Sequence, residues 1–511
     1  MLNQILLFNG KIWTSQGFKS WMLIEDNIIK AIGENPKPDL DNKQIDLKQK
    51  LVLPGLMDAH NHVYYTGWME YTLQLNRPKS IAELQNKLKD YINETKDESG
   101  WIVGFGWDQD YMEDKRYPTR YDLDQIARDR PVSLTRGCYH VSVLNSKALE
   151  VLNITADTAD PEGGSIDKDE NGEPTGILRE TALELVDPFI EIKDKKKQKK
   201  ITLLGLQRCL SVGLTTVQTN DASAFDIYSE LDKEGRLPIR VYLVPMHEEI
   251  FERDLSSRQT KSEFFNVNRL KILADGSLGG HTAALRQPYT DTGKLGQLIF
   301  QQKELSKKVK QAKEKGYRVE VHGIGDLAAE CVLNAFDEAG LNTRDRPILT
   351  HCQVLGKDLI VRMKNKGVIA NIQPPMVTTD SLWIEKRLGS TERLRYAYAW
   401  KTLIDSGITV AGGSDSPVEN PDPLLGLHAA IFRFNPKGEV WKSEECLTFE
   451  EALKIYTEGG AYAIKEENSL GRLEKGYKAD FIIVDNDVSS HPELLINTKI
   501  EEVWIDGKRK L

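Results

Sequence analysis

The segment VLPGLMDAHNHV, from Val52 to Val63, joins an apolar run to two histidines separated by one residue. In an extended chain, residues i and i+2 point to the same side, so Asp58, His60 and His62 are expected to share one face. Two imidazoles on one face could chelate a metal ion. Two polar residues at the end of a buried strand would give the same pattern, so further ligands must be sought elsewhere in the chain.

The composition is that of an ordinary globular protein. Of 511 residues, 40% are hydrophobic and 28% are charged, which is enough apolar material for two or three structural units. The net charge of −9 is spread along the sequence, so we expect neither a nucleic-acid nor a membrane partner, and we interpret the lysine run 193–200 as a solvated face. The start of the chain lacks a basic leader, and five widely spaced cysteines suit reduced thiols, so we expect a cytoplasmic protein.

Through the middle of the chain, short apolar strands alternate with segments of helical period. This pattern is typical of parallel βα units. The number of strands predicts an α/β fold with an eight-stranded (β/α)8 barrel of TIM type. The predicted strands are 51–57, 214–220, 239–245, 269–274, 317–322, 347–352, 368–373 and 408–413.

The two ends of the chain have a different residue pattern, in which runs of β-branched residues are bounded by Gly and Asp turns. We therefore predict one composite β-sandwich domain from residues 1–50 and 465–511, and a barrel from residues 51–464. The first two barrel strands are separated by far more chain than a crossover needs. Residues 64–200 are thus predicted to be an inserted subdomain that covers the active-site mouth.

Polar side chains fall at the ends of several predicted barrel strands. Lys271 lies inside the fourth strand, and His322 and His351 end the fifth and sixth. Asp415 follows the eighth. Because a β/α barrel gathers the carboxyl ends of its strands around one mouth, these side chains are expected to meet the two histidines of the opening segment. Imidazole and carboxylate ligands suit zinc first, with manganese, iron or cobalt as alternatives.

Lys271 is an unusual member of this group, because an ammonium has no lone pair and repels a divalent ion. Its carboxylated form, a carbamate made with carbon dioxide, would present two oxygens and could bridge two ions. In the alternative, Lys271 faces outward or pairs with an acidic residue. The choice between one and two ions is equally open.

Six ordered motifs extend over almost the whole chain: PGLMDAHNHV, LKILADGSLGGHTAAL, VEVHGIGDLA, LTHCQ, AGGSDSPVENPDPL and GRLEKGYKADFIIVD. Together they resemble the amidohydrolase superfamily, specifically its amidohydrolase 3 branch of YtcJ-like and N-substituted formamide deformylase-like proteins. The resemblance implies a metal-dependent β/α barrel flanked by a β domain built from both chain ends.

The resemblance also implies roles for individual residues. His60 and His62 would bind the more buried ion, and His322 and His351 the second one. Lys271 would be a carboxylated bridging ligand. Asp415 would ligate metal and act as the base, taking a proton from the attacking water and returning it to the leaving nitrogen.

Four further residues are nominated around this centre, together with Asp58. The segments GFGWDQ, CYHVSVLNSKAL and PTGILRE resemble stretches that lie over the metal site in relatives, and they nominate Trp107, His140 and Glu180 as substrate contacts, with packing of the subdomain as the alternative. His281 stands where relatives commonly carry an arginine, which puts a carboxylate-binding role at that position in doubt. Asp58 could hold an imidazole in its metal-binding tautomer, or it could cap the strand end.

We therefore expect a metal-dependent hydrolase of a carbon–nitrogen bond other than a peptide bond, attacking with metal-bound hydroxide. The expected substrate is a small linear amide, such as an N-substituted formamide or an N-acyl amine. One alternative is a cyclic amidase or aminohydrolase of the same superfamily. Another is a metal-binding regulatory protein without turnover. Assembly into a homo-oligomer is left open.

Overall fold

The computed structural model describes residues 4–34, 37, 43–95, 100–137, 140–161, 163–190, 192–251, 260–389 and 391–511. It has two compact units, the first made of Met1–Tyr65 with Leu206–Leu511 and the second of Thr66–Gly205. Among the described residues, no helix combines the length and apolar composition needed to span a bilayer. Cys209, Cys331, Cys352 and Cys446 are free thiols, and Cys138 lies outside the described residues.

The strands, numbered in chain order, are β1 Gln4–Thr14, β2 Gly17–Glu25, β3 Ile28–Gly33, β4 Lys43–Asp46, β5 Leu51–Pro54, β6 Leu56–Asn61, β7 Leu73–Gln74, β8 Ile102–Trp107, β9 Val132–Arg136, β10 Val141–Leu144, β11 Gly164–Lys168, β12 Pro174–Glu180, β13 Leu214–Thr219, β14 Arg240–Leu243, β15 Thr260–Lys261, β16 Phe265–Val267, β17 Arg269–Leu273, β18 Arg318–Gly323, β19 Ile348–His351, β20 Ile369–Ile372, β21 Val410–Gly412, β22 Phe481–Val484, β23 Ile500–Ile505 and β24 Lys508–Arg509.

The α-helices are α1 Val63–Tyr71, α2 Ile81–Glu94, α3 Arg120–Asp124, α4 Ser146–Val151, α5 Asp187–Ile190, α6 Lys195–Ser211, α7 Phe225–Lys233, α8 His247–Phe251, α9 Gln302–Glu314, α10 Asp326–Glu338, α11 Lys357–Lys366, α12 Met376–Asp380, α13 Ile384–Leu388, α14 Thr391–Arg395, α15 Trp400–Asp405, α16 Pro423–Phe432, α17 Phe449–Ile455 and α18 Glu458–Ile464. Short 3-10 helices cover Thr181–Leu185, Ser443–Glu445 and Pro492–Asn497.

Eight parallel strands form the core of the first unit. β6, β13 and β14 pair in one sheet, and β17 to β21 pair in order in another. The backbone N–H of Lys271 donates to Pro245 O at 2.8 Å between the two sheets, and on the other side the N–H of Asp415 donates to His60 O at 2.7 Å. These strands are almost entirely buried, so apolar and polar side chains alike are enclosed and the sequences show no regular alternation of apolar and polar residues.

The segment from Val52 to Val63 differs from its prediction in the extent of its strand. The predicted strand 51–57 is wrong in extent, because β5 pairs with β1 and β22 in the sheet of the chain ends and β6 starts only after Gly55. A Cβ at Gly55 would lie 2.5 Å from Thr215 Oγ1, so the chain crosses between the two sheets at a point where only glycine fits. His60 consequently lies inside β6 rather than after the strand.

Both ends of the chain contribute to one eight-stranded sheet in the order β24-β23-β22-β5-β1-β2-β3, with β4 paired to β1. Phe481 and Trp504 stack at 5.3 Å between ring centroids, and they pack in a common core with Leu7, Ile24 and Val52. Strands from the two ends of the sequence therefore share one hydrophobic cluster.

The second unit has its own six-stranded sheet, in the order β11-β12-β10-β9-β8-β7. Helix α2 is capped by Ser80, whose hydroxyl accepts the N–H of Glu83, and it buries Leu84 and Leu88 in the core of this unit. Residues 64–200 are the predicted insertion, and this unit spans Thr66–Gly205.

A buried ion cluster ties the parallel strands to the sheet of the chain ends. Arg240, at the start of β14, is 1% exposed and donates to Asp480 at 2.8 and 3.1 Å and to Asp506 at 2.5 Å. Removing one partner of a buried ion pair leaves the other charges uncompensated.

Arg240→Met should therefore lower the free energy of unfolding by about 3–5 kcal/mol. Arg236→Met is the matched control, because Arg236 makes an exposed ion pair with Glu234 that is worth at most about 1 kcal/mol. Denaturant titrations of both variants measure the difference. Equal effects of the two substitutions would contradict a structural role for the cluster.

Candidate metal centre

Three potential ligands converge beyond the end of β6. His60 Nε2 lies 3.3 Å from Asp415 Oδ1, and His62 Nε2 lies 3.1 Å from the same oxygen. One ligand atom of each of the three residues lies within 4.8 Å of the other two. The group unites β6 with the loop after β21, which are the first and last of the parallel strands.

Two more imidazoles adjoin this group. The His322 and His351 rings lie 4.4 Å apart, and the His351 ring is 5.2 Å from that of His60. His351 and Asp415 have φ angles of 79° and 60°, in the left-handed region that non-glycine residues rarely adopt. Such backbone geometry persists only where the surroundings enforce it, and it often marks functional sites.

In each imidazole, one ring nitrogen faces a hydrogen-bond acceptor. A nitrogen that donates to an acceptor carries the proton, so the opposite nitrogen keeps its lone pair. The acceptor contacts outside the centre are His60 Nδ1 to Glu320 Oε1 at 3.3 Å, His62 Nδ1 to Asn220 O at 2.7 Å, His322 Nε2 to Gly276 O at 3.0 Å and His351 Nδ1 to Gln373 Oε1 at 2.7 Å. The lone pair is thus assigned to Nε2 of His351 and to Nδ1 of His322, whereas His60 and His62 each lie between two acceptors because their Nε2 atoms face Asp415.

Lys271 is buried rather than facing outward. Its Nζ lies 3.2 Å from Oε1 of Glu320, which is its partner in the register of β17 and β18. Burial lowers the pKa of the Lys271 ammonium, and the negative charges of Glu320 and Asp415 oppose that shift. Pairing with an acidic residue, the alternative left open by the sequence, is the arrangement found here.

Glu320 is a functional candidate that the sequence did not reveal. Burial alone would raise its pKa, but the charges of Arg269 and Lys271 outweigh burial and hold the pKa well below its ordinary value. Arg269 Nε donates to Glu320 Oε2 at 2.7 Å. The sequence feature that could have indicated Glu320 is its position two residues before His322, on the same face of the strand.

Asp58 connects the two sides of the centre through the main chain. It accepts the backbone N–H of His60 at 3.0 Å, the backbone N–H and hydroxyl of Ser414 at 3.1 and 2.6 Å, and the side-chain amide of Asn61 at 2.8 Å. These contacts match the alternative in which Asp58 caps the strand end rather than the one in which it holds an imidazole. This carboxylate fixes the backbone of β6 against the loop that carries Asp415.

Asp275 is a second missed residue. Its Oδ1 lies 3.3 Å from His322 Nε2 and accepts the N–H of Ile324 at 3.0 Å, and its Oδ2 accepts the N–H groups of Ala284 and Gly325 at 2.9 Å each. It thus ties the loop after β17 to the end of β18. No local motif distinguishes such an acid, because its partners are main-chain amides remote in sequence.

The residues predicted to contact the substrate lie in different parts of the structure. Trp107 is fully buried in the core of the second unit and its indole N–H donates to Leu134 O at 2.7 Å, so the packing alternative applies to it. His140 Nδ1 lies 2.8 Å from Glu180 Oε2, and both side chains are exposed in that unit. His281 Nε2 lies 3.0 Å from Asp291 Oδ2, a contact within the loop after β17.

Two further acids lie close in sequence to the ligand-bearing loops. Glu419 follows Asp415 by four residues, and Thr379, at the end of α12, donates its hydroxyl to Glu419 at 3.4 Å. Burial raises the pKa of Glu419 to about 7, and the charge of Asp380 adds to the shift. The Glu419 carboxyl is thus partly protonated at neutral pH.

Histidines and a carboxylate at the carboxyl ends of parallel strands define a class of protein, the metal-dependent hydrolases with an α/β fold of TIM-barrel type. Comparison with known proteins shows the family to which the chain belongs.

A family model described as the amidohydrolase family matches residues 43–509. The putative amidohydrolase YtcJ of Bacillus subtilis (strain 168) is 34% identical over 502 residues, covering 95% of this chain and 94% of that protein. The N-substituted formamide deformylase of Arthrobacter pascens is 24% identical over 487 residues, covering 91% and 89%. The crystal structure of an uncharacterized metal-dependent hydrolase from Pyrococcus furiosus has a TM-score of 0.80 and 33% identity, covering 95% of this chain and all of that one.

The chain belongs to the amidohydrolase family, which confirms the predicted resemblance. It is a hydrolytic enzyme that acts on carbon–nitrogen bonds other than peptide bonds. Its family is metal-dependent, and the structure provides a candidate metal site in His60, His62 and Asp415.

A pH-dependent contribution to stability is expected from Asp380. Burial raises its pKa to about 6, although the Tyr398 hydroxyl, which donates to it at 2.5 Å, opposes the shift. A carboxyl whose folded pKa is raised stabilises the fold below its unfolded pKa of about 4, and this contribution is lost as pH rises through about 6. The melting temperature of Asp380→Asn relative to wild type should therefore rise across this range and level off above it.

Tyr398→Phe provides the companion measurement, because it removes the hydrogen bond that opposes the shift. The transition should then move to higher pH. A difference between Asp380→Asn and wild type that is the same at every pH would contradict the raised pKa.

Proposed function

We propose that the protein hydrolyses a small linear amide, either an N-substituted formamide or an N-acyl amine, at a divalent metal centre. The observation that carries this proposal is the arrangement of four imidazoles, each with one nitrogen on an acceptor outside the centre, around the Asp415 carboxylate. Similarity to the formamide deformylase supports the choice of substrate class.

The donor set fits a borderline metal ion, because neutral imidazole nitrogen and carboxylate oxygen are ligands that zinc, manganese, iron and cobalt accept. We propose zinc, held by His60, His62 and Asp415, with a second ion held by His322 and His351. When bound, such ions supply Lewis acidity and bring the pKa of water to about 7.

Asp415 is the proposed base. Burial would raise its pKa, but the contacts with His60 and His62 outweigh burial and hold the pKa well below its ordinary value. The carboxylate is therefore ionised at neutral pH and can accept a proton from the attacking water. The same group can then deliver that proton to the leaving nitrogen. Both transfers require the water oxygen and the leaving nitrogen to come within hydrogen-bond distance of Oδ1 or Oδ2.

Lys271 is the proposed bridging ligand after carboxylation. Its neutral amine would add to carbon dioxide, forming an N–C bond and releasing one proton, and burial favours the neutral amine. The negative charge of the carbamate would need compensation beside Glu320, which two cations at the centre and Arg269 below it would provide. Anomalous scattering from crystals, with density at Lys271 Nζ, tests ion number and carboxylation together.

Three finer features of the protein belong to the same proposal. The hydrogen bonds at both junctions between the parallel sheets support closure of the eight strands into a complete barrel. We also propose that the strands of the two chain ends fold as a small β-sandwich and that the enzyme works in the cytoplasm. Cyclic amides and amino-heterocycles are the alternative substrates.

Removal of metal should abolish hydrolysis. We expect chelator-treated protein to lose activity on formamides and N-acyl amines, and zinc or manganese to restore it, since without an ion Asp415 would have to deprotonate water of ordinary pKa. Product analysis with lactams and amino-heterocycles in the same panel separates linear from cyclic substrates. Full activity of protein shown to be metal-free by elemental analysis would contradict the mechanism.

Asp415→Asn should lower kcat by roughly 100- to 10,000-fold, the usual contribution of a general base. Asp337→Asn is the control, because Asp337 lies on α10 among the surface cations Arg362 and Lys366. Steady-state kinetics at saturating metal separate loss of the base from loss of a ligand. Unchanged kcat with an intact fold would contradict the role of Asp415 as the base, and an unchanged phenotype with an intact fold would favour a regulatory protein without turnover.

A further inference from the structure

We propose that Gln373 and Asn371 are positioning residues that fix the tautomer and ring orientation of His351. The structural part stands on the hydrogen bonds alone, and the consequence for metal binding rests on the proposed function. Asn371 is in β20, and Gln373 lies two residues later, directly after the strand, so their side chains point to the same side. Both are almost completely buried, at 0% and 2% exposed.

The two amides and one imidazole form a continuous chain of hydrogen bonds. His351 Nδ1 contacts Gln373 Oε1 at 2.7 Å, Gln373 Nε2 donates to Asn371 Oδ1 at 3.3 Å, and Asn371 Nδ2 donates to the main-chain oxygen of Ala59 at 2.8 Å. We call this chain the amide relay. It begins at a group of fixed polarity, because a carbonyl oxygen can only accept.

The direction of this first hydrogen bond determines the direction of each following hydrogen bond in the amide relay, up to the His351 ring. Because the oxygen of Ala59 accepts, Asn371 must direct its NH2 group toward it and its oxygen toward Gln373. Gln373 must then offer its NH2 group to Asn371 and its oxygen to His351. A ring nitrogen facing an amide oxygen must donate, so Nδ1 carries the proton and Nε2 keeps the lone pair.

The amide relay also couples two strands that carry proposed ligands. Ala59 directly precedes His60 in β6, whereas His351 ends β19, and β20 provides the amides between them. A shift of His351 would therefore strain a contact to the backbone next to His60. Partners of this kind orient metal-binding imidazoles, and their loss typically weakens metal affinity 10- to 100-fold.

The first test is the tautomer of His351 in the full-length, metal-stripped protein labelled with 15N-histidine. Long-range 1H–15N correlation at a pH where the imidazoles are neutral distinguishes Nδ1–H from Nε2–H, and the spectrum of His351→Asn identifies the His351 signals. We expect the pure Nδ1–H form in the wild type. The Nε2–H form there would overturn the proposal without the need for any variant.

Two substitutions then separate a relay from a single contact. Gln373→Met removes the acceptor. Asn371→Leu leaves Gln373 beside the ring but removes the group that fixes its amide, so Gln373 can turn over. Both should give a mixture of tautomers. Gln353→Met is the matched control, because this buried glutamine follows β19 and contacts Met376 outside the relay. It should keep the Nδ1–H form.

Metal affinity provides the second readout, by competition of zinc with a chromophoric chelator. Gln373→Met and Asn371→Leu should each weaken zinc binding 10- to 100-fold, and Gln353→Met should not. If both relay variants keep pure Nδ1–H and wild-type affinity, the inference is wrong and the proposed hydrolysis is untouched. If metal-free enzyme stays active, the proposed function fails, but the tautomer result still decides the relay.

Discussion

The structure depends on a constraint that applies to every buried imidazole of the centre. A neutral ring that offers one nitrogen to a metal carries its proton on the other, and burying that N–H without an acceptor is unfavourable, so the acceptor must itself be buried and satisfied. The protein meets this requirement in three ways: with main-chain carbonyls for His62 and His322, with an amide chain for His351, and with a carboxylate for His60. The interior of the parallel strands is consequently polar just below the ligands.

That polar interior contains charges in addition to amides. Arg269, Lys271 and Glu320 are each nearly inaccessible, and they compensate one another. A single unpaired charge at this depth would be strongly unfavourable, whereas a hydrogen-bonded group of opposite charges is tolerated. Lys271 is thus held by the same carboxylate that faces His60, so a change in the charge of Lys271 would alter the electrostatic environment of that imidazole.

The sequence predicted the parallel strands well, because each is a short apolar run followed by helical periodicity, and their observed bounds mostly lie within one or two residues of the prediction. It also brought the four histidines, Lys271 and Asp415 to one end of those strands. It could not predict the acceptors, since the carbonyls of Asn220 and Gly276 belong to residues without any distinguishing side chain. The division at Gly55 depends on a close approach to Thr215, which is remote in sequence and becomes visible only after folding.

The sheet made from both chain ends has a consequence for the order in which the enzyme matures. β5 leads into β6, the strand of His60, across one glycine, and β5 is paired on one side by β22, some 430 residues later in synthesis. A nascent chain therefore carries the first ligands long before the strand that secures them exists. Any product cut short before β22 has all six proposed ligand residues but an unpaired edge beside β5.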